Sequence, residues 1–65
     1  MRIEMTTVHT RPACDFYTDS GSWLGWAKIV DGVWTLQSLS APLEIFERIA
    51  LAERVGALLG CDVLA

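Results

Sequence analysis

The run Trp23-Leu24-Gly25-Trp26-Ala27-Lys28-Ile29-Val30-Asp31-Gly32-Val33-Trp34-Thr35-Leu36 limits what this chain can fold into more than any other part of it. An Asp-Gly pair between apolar, β-branched residues is the strongest short-range hairpin signal, because a two-residue turn needs positive φ at both central positions. The turn sets Val30 opposite Val33, and the register follows outward: Ile29 with Trp34, Lys28 with Thr35, Ala27 with Leu36, Trp26 with Gln37, Gly25 with Ser38, Leu24 with Leu39. All three tryptophans of the chain lie on this hairpin. How the pleat divides them between the two faces therefore matters for both core and function.

A second turn is expected at Asp19-Ser20-Gly21-Ser22. A two- or four-residue loop there gives one register, with Tyr17 opposite Leu24, Phe16 opposite Gly25, Asp15 opposite Trp26 and Cys14 opposite Ala27. An aromatic ring covering a glycine on the next strand suits the Phe16 position. The N-terminal segment Arg2-Ile3-Glu4-Met5-Thr6-Thr7-Val8-His9 alternates and is rich in β-formers, and Arg11-Pro12 reads as the turn that follows it. The strands predicted are about 2–9, 13–19, 22–30 and 33–39. A helix follows over about 41–59, with Ser40 as cap, Pro42 in the first turn, Glu44 and Arg48 as an i, i+4 pair, and Gly60 as the stop. The final Cys61-Asp62-Val63-Leu64-Ala65 reads as a short strand or a tail on the sheet edge. The fold class is α+β: one domain over 1–65, an antiparallel β-meander of three to four strands with one C-terminal helix packed on one face.

Strand alternation then sorts the side chains. One face carries Cys14, Phe16, Trp23, Gly25, Ala27, Ile29, Trp34 and Leu36, a mixture of large and small apolar groups suited to a helix lying across it. The other carries Asp15, Tyr17, Leu24, Trp26, Lys28, Val30, Val33, Thr35, Gln37 and Leu39. On the helix, Ile45, Ile49, Ala52, Gly56 and Leu59, flanked by Phe46, form the expected sheet-facing stripe. Leu51, Val55 and Leu58 form a second stripe that one helix on one sheet leaves over, and are expected to make a homodimer or partner contact.

Size sharpens that expectation. A chain of 65 residues buries only about 60% of its unfolded surface. Its mean hydropathy of +0.37 is high for so small a domain, so apolar surface is expected to remain for an oligomer or a partner. No stretch approaches the roughly 18 to 20 apolar residues of a membrane span, and the N-terminus has no signal-like apolar region. A cytoplasmic protein is expected. The net charge of −3 is spread without basic runs, which disfavours nucleic acid.

Candidate chemistry is sparse. Cys14, Cys61 and His9 are too few and too widely spaced for a structural zinc site, and the two cysteines read as free thiols. The Gly21-Ser22-Trp23-Leu24-Gly25 segment lacks the lysine and the strand–loop–helix setting of a phosphate cradle. Asp19 and Asp31 are explained by their turns. No enzyme activity, metal or cofactor is expected. Trp26, ringed by Asp15, Tyr17, Lys28 and Gln37 on a face that no second helix covers, is the expected partner-binding centre. In size, acidity and compact strand-plus-helix layout the chain resembles the small inhibitors encoded by phages and other mobile elements, anti-CRISPR proteins among them. That resemblance implies an inhibitory or regulatory protein acting by occluding a partner's surface. The alternatives are single-stranded nucleic acid stacking on the open sheet and a structural subunit of a larger assembly.

Overall fold

In a computed structural model describing residues 1–65, the chain forms β1 (Arg2–Val8), β2 (Arg11–Tyr17), β3 (Trp23–Val30), β4 (Val33–Leu39), α1 (Ile45–Leu59) and β5 (Val63–Leu64). The sheet runs in sequence order, with β1 to β4 an antiparallel meander and β5 parallel to β4. The expected α+β class and four-stranded meander hold, and the tail supplies a short fifth strand.

The Asp31-Gly32 turn forms as expected, with φ of +51° and +82°. It keeps Val30–Val33, Ile29–Trp34, Lys28–Thr35 and Ala27–Leu36 in the anticipated register. The β1–β2 connection is a turn of the same kind at His9-Thr10, with φ of +51° and +63°. Left-handed backbone at a β-branched threonine is costly, so no residue preference announces this turn, which had been expected at Arg11-Pro12. Pro12 instead sits inside β2, opposite Thr7. Its missing N–H is tolerated because it falls at a non-hydrogen-bonded place in the β1 ladder.

Two bulges correct the register beyond these anchors. Phe16 faces Gly25 as expected, but Tyr17 faces Trp23 rather than Leu24, so Leu24 is an extra residue on β3. Gly25 faces Leu39 rather than Ser38, which leaves an extra residue on β4 in the Gln37–Ser38 region. The five-residue loop Thr18–Ser22 accounts for the first: the Thr18 N–H donates to the Ser22 carbonyl and the Ser22 N–H to Thr18 Oγ1. An odd loop where an even one was expected reverses the facing of the residues that follow it, until the extra Leu24 restores the expected facing from Gly25 onward. Trp23 leaves the helix side for the open side. Leu24 and Leu39 make the opposite move and pack on the core.

The glycine between the bulges is indispensable. A Cβ on Gly25 would stand 2.7 Å from the Ser38 carbonyl oxygen and 2.6 Å from a Leu39 methyl. Only a bare backbone lets β4 come so near.

The helix begins at Ile45, four residues later than the expected start at about 41. Ser40 still belongs to the sheet, its N–H donating to the Leu24 carbonyl at 2.8 Å. Residues 41–43 cross to the other layer, and Leu43 packs against the core on the way. Glu44 takes the cap position in place of Ser40, and Glu47 reaches back to accept from the Glu44 N–H at 3.1 Å. Glu44 and Arg48 do not form the anticipated ion pair. The helix stops at Gly60, left-handed at φ +79°, where the Gly60 and Cys61 N–H groups both donate to the Gly56 carbonyl.

Of the stripe expected to face the sheet, Ala52, Gly56 and Leu59 do pack inward, but Leu51 and Val55 join them in place of Ile45, Phe46 and Ile49. Leu51, Ala52, Val55 and Gly56 are buried, whereas Ile45, Phe46 and Ile49 are exposed at 76%, 71% and 47%. Leu51 and Val55, expected at an oligomer contact, are therefore core residues, and of that trio only Leu58 remains exposed. Gly56 receives the returning chain, and a Cβ there would meet the Cys61 carbonyl oxygen at 2.6 Å.

The core joins Cys14, Phe16, Ala27 and Leu36 of the sheet to Leu51, Ala52 and Val55 of the helix, with no buried polar side chain. Burial of a Leu, Val or Phe side chain contributes roughly 1.5–3 kcal/mol, and only four of these seven are that large. The partly buried fringe of Ile3, Leu24, Trp34, Leu39, Leu43, Leu59 and Val63 is needed to complete the layer. Gly25→Ala is expected to lower stability by about 2–3 kcal/mol through overpacking against backbone, measured by chemical denaturation. An unchanged midpoint would mean that β3 and β4 are not held this close.

Candidate binding face on the open side of the sheet

Alternation from the observed pairs gives the composition of the uncovered face. Rows of paired residues run across it: Arg2, Tyr17 and Trp23; then Glu4, Asp15 and Trp26; then Thr6, Ala13, Lys28 and Thr35; then Val8 and Arg11 beside Val30 and Val33. The helix lies on the other side, packed on the Cys14, Phe16, Ala27 and Leu36 face, and of β5 Val63 joins that core while Leu64, paired with Thr35, extends the third row of the open face.

The aromatic groups are held by polar partners rather than by a core. The Trp23 indole Nε1–H donates to Asp15 Oδ1 at 3.0 Å. Asp15 also stands directly opposite Trp26, so one carboxylate touches one tryptophan and borders the other. Lys28 Nζ lies 5.9 Å from the Trp26 ring centre and the Arg2 guanidinium 4.5 Å from the Tyr17 ring centre. Both are within the range of cation–π attraction, worth about 0.5–1 kcal/mol at exposed sites. Arg2 also pairs with Glu4. Gln37 donates from Nε2 to the Thr35 carbonyl at 3.3 Å, which holds its amide near the β4 bulge that opposes Trp26.

Of the four residues expected around Trp26, Asp15 stands opposite it in the sheet, Lys28 lies near its ring and Tyr17 shares its face, while Gln37 lies at the β4 bulge. Sequence reasoning missed three further members: Trp23, Arg2 and Glu4. Trp23 was hidden by the loop-length change. Arg2 and Glu4 follow from the β1–β2 register, which needs the unmarked His9-Thr10 turn. With them, the face carries Arg2, Arg11 and Lys28 against Glu4 and Asp15, whereas the chain as a whole has five cations and eight carboxylates. The acidic excess lies elsewhere, on the turns, the helix and the tail. At one end of the sheet the Met1 amino group donates to Asp19 Oδ1 at 2.6 Å and holds that carboxyl below its usual range.

Groups with nucleophilic or metal-binding chemistry are dispersed. No three His, Cys, Asp or Glu side chains converge. Cys14 is fully buried on the helix side, and burial pushes its thiol above the usual value. Cys61 is exposed at the end of the helix, and both thiols are free. No helix is long and apolar enough to cross a membrane.

Iodoacetamide is expected to modify one thiol per chain in the native protein, the exposed Cys61, and both after denaturation, because the core shields Cys14 from the reagent and its burial disfavours the thiolate. Peptide mapping showing native modification of Cys14 would contradict the burial of β2 beneath the helix. No family model matches this chain, and no curated protein or solved structure is significantly similar to it.

Proposed function

We propose that this domain is a non-enzymatic protein-interaction module that binds a protein partner through the open face of its sheet. The observation that carries the reading is the placement of Trp23, Trp26 and Tyr17 together on a face that no part of the chain covers. Indole and phenol rings are enriched in binding hot spots because they desolvate a large area at little cost in conformational entropy. Here their orientation is set in advance by Asp15, Lys28 and Arg2, which lowers the ordering cost of association. Charges of both signs ring the aromatics, a pattern suited to register with a polar partner surface. The acidic, compact chain and its single uncovered face are compatible with an inhibitor or regulator that works by occlusion, of the kind carried by phages and mobile elements, acting in the cytoplasm.

A second reading has one specific observation in its favour. Three aromatic rings and three cations share the face, and stacking on such a surface is how open sheets hold single-stranded nucleic acid. Against it, Arg2 is already paired with Glu4, and Asp15 lies between the two tryptophans, where a phosphate would be repelled.

The experiment compares Trp23→Ala, Trp26→Ala and Trp34→Ala. The first two are expected to stay within about 1 kcal/mol of the parent stability, while Trp34→Ala, which removes a ring packed on the core, costs about 3 kcal/mol. A protein retained from host extract by the parent chain is expected to be lost with both Trp23→Ala and Trp26→Ala. Equal retention by all three rejects the face. Oligonucleotide binding that weakens steeply with salt would shift the assignment to nucleic acid.

A further inference from the structure

β1 is the outermost strand, and nothing in the fold covers its free edge. The opposite side of the sheet is different, since β5 lies along β4. β1 runs seven residues in unbroken register with β2; it contains no proline and no bulge, and its two charged side chains, Arg2 and Glu4, pair with each other. Proline and bulges are two of the usual devices by which an edge avoids pairing with another strand.

The two-residue His9-Thr10 turn makes Val8–Arg11 a pair that exchanges both backbone hydrogen bonds. Bonded and non-bonded pairs alternate, so Arg2, Glu4, Thr6 and Val8 spend their N–H and C=O groups on β2. Ile3, Met5 and Thr7 point theirs outward. Met5 is also 60% exposed on the helix side of the sheet, the one large apolar side chain left open on this strand.

We propose that β1 pairs antiparallel with β1 of a second copy of this chain, about a two-fold axis at Met5. Two-fold pairing of like strands sets one residue opposite its own copy. An axis at Arg2 or Glu4 would set like charges directly opposite one another, which is destabilising. An axis at Ile3 or Thr6 shortens the overlap and leaves an outward-facing residue unbonded. The axis at Met5 opposes Met5 to its copy, Ile3 to Thr7, Glu4 to Thr6 and Arg2 to Val8. No like charges meet, and all three outward residues are bonded, giving about six inter-chain hydrogen bonds. Met5 is covered by its own copy. The product is one continuous sheet with both helices on one side and both tryptophan faces on the other. The inference is independent of what that face binds.

Sedimentation equilibrium on the full chain tests it. The expected result is twice the 7.2 kDa chain mass, with slowed amide exchange at Ile3, Met5 and Thr7 relative to dilute protein. Met5→Lys, which sets like charges across the axis, is expected to return the single-chain mass with an unchanged far-ultraviolet spectrum. Thr7→Pro, which removes one outward N–H without touching the β2 ladder, is expected to do the same. A wild-type chain of single mass at its highest soluble concentration overturns the proposal. So does a dimer that survives both substitutions, or one whose Ile3, Met5 and Thr7 amides exchange freely.

Discussion

The close approach of β4 to the bare backbone of Gly25 is the contact on which the rest of the sheet depends. The Ser38 carbonyl and Leu39 occupy the space that any larger residue at position 25 would need. With that approach in place, β3 carries its extra residue on one side of Gly25 and β4 carries its own on the other. Each bulge reverses the facing of the residues beyond it. Together they trade Trp23 for Leu24 and bring Leu39 inward. The core thereby gains two aliphatic side chains that pack without a polar atom, and the open face gains an indole whose N–H finds Asp15.

That exchange suits a chain this short. Trp23 in the core would need a buried acceptor for its N–H, and no polar side chain is buried anywhere in the fold. On the open side the acceptor is a partly exposed carboxylate, at no desolvation cost comparable to burial. Trp34, by contrast, packs its ring on the core beside the β5 strand that closes the edge. The division of aromatics follows from where hydrogen-bond partners are available as much as from hydrophobicity.

The open face and the free β1 edge are two separate leftovers of one economy. One helix covers one side of a sheet, and one two-residue strand covers one edge. Glu4 and Asp15 keep the cations of the face locally compensated, while the acidic excess sits on turns, helix and tail. A surface assembled this way offers aromatic area and mixed charge to a partner, with its side chains already oriented by cation–π and hydrogen-bond contacts.

Legibility in the sequence tracked the range of the forces involved. The Phe16–Gly25 and Asp15–Trp26 pairings hold because the Leu24 bulge offsets the odd loop, whereas the Asp31-Gly32 turn, the pairs flanking it and the Gly60 stop were determined by residues within one hairpin or turn. There, φ preferences and period-two alternation act without reference to the rest of the chain. Tertiary structure decided which flank of the Ala52/Gly56 stripe turns inward, because Ile45/Ile49 and Leu51/Val55 are similarly apolar and helix periodicity does not choose between them. It also decided that the helix waits until Ile45, because the Ser40 N–H remains bonded to Leu24. The side to which Trp23 turns was settled by an odd-membered loop and a carbonyl approaching a glycine. Those are steric facts about two strands that no single strand encodes.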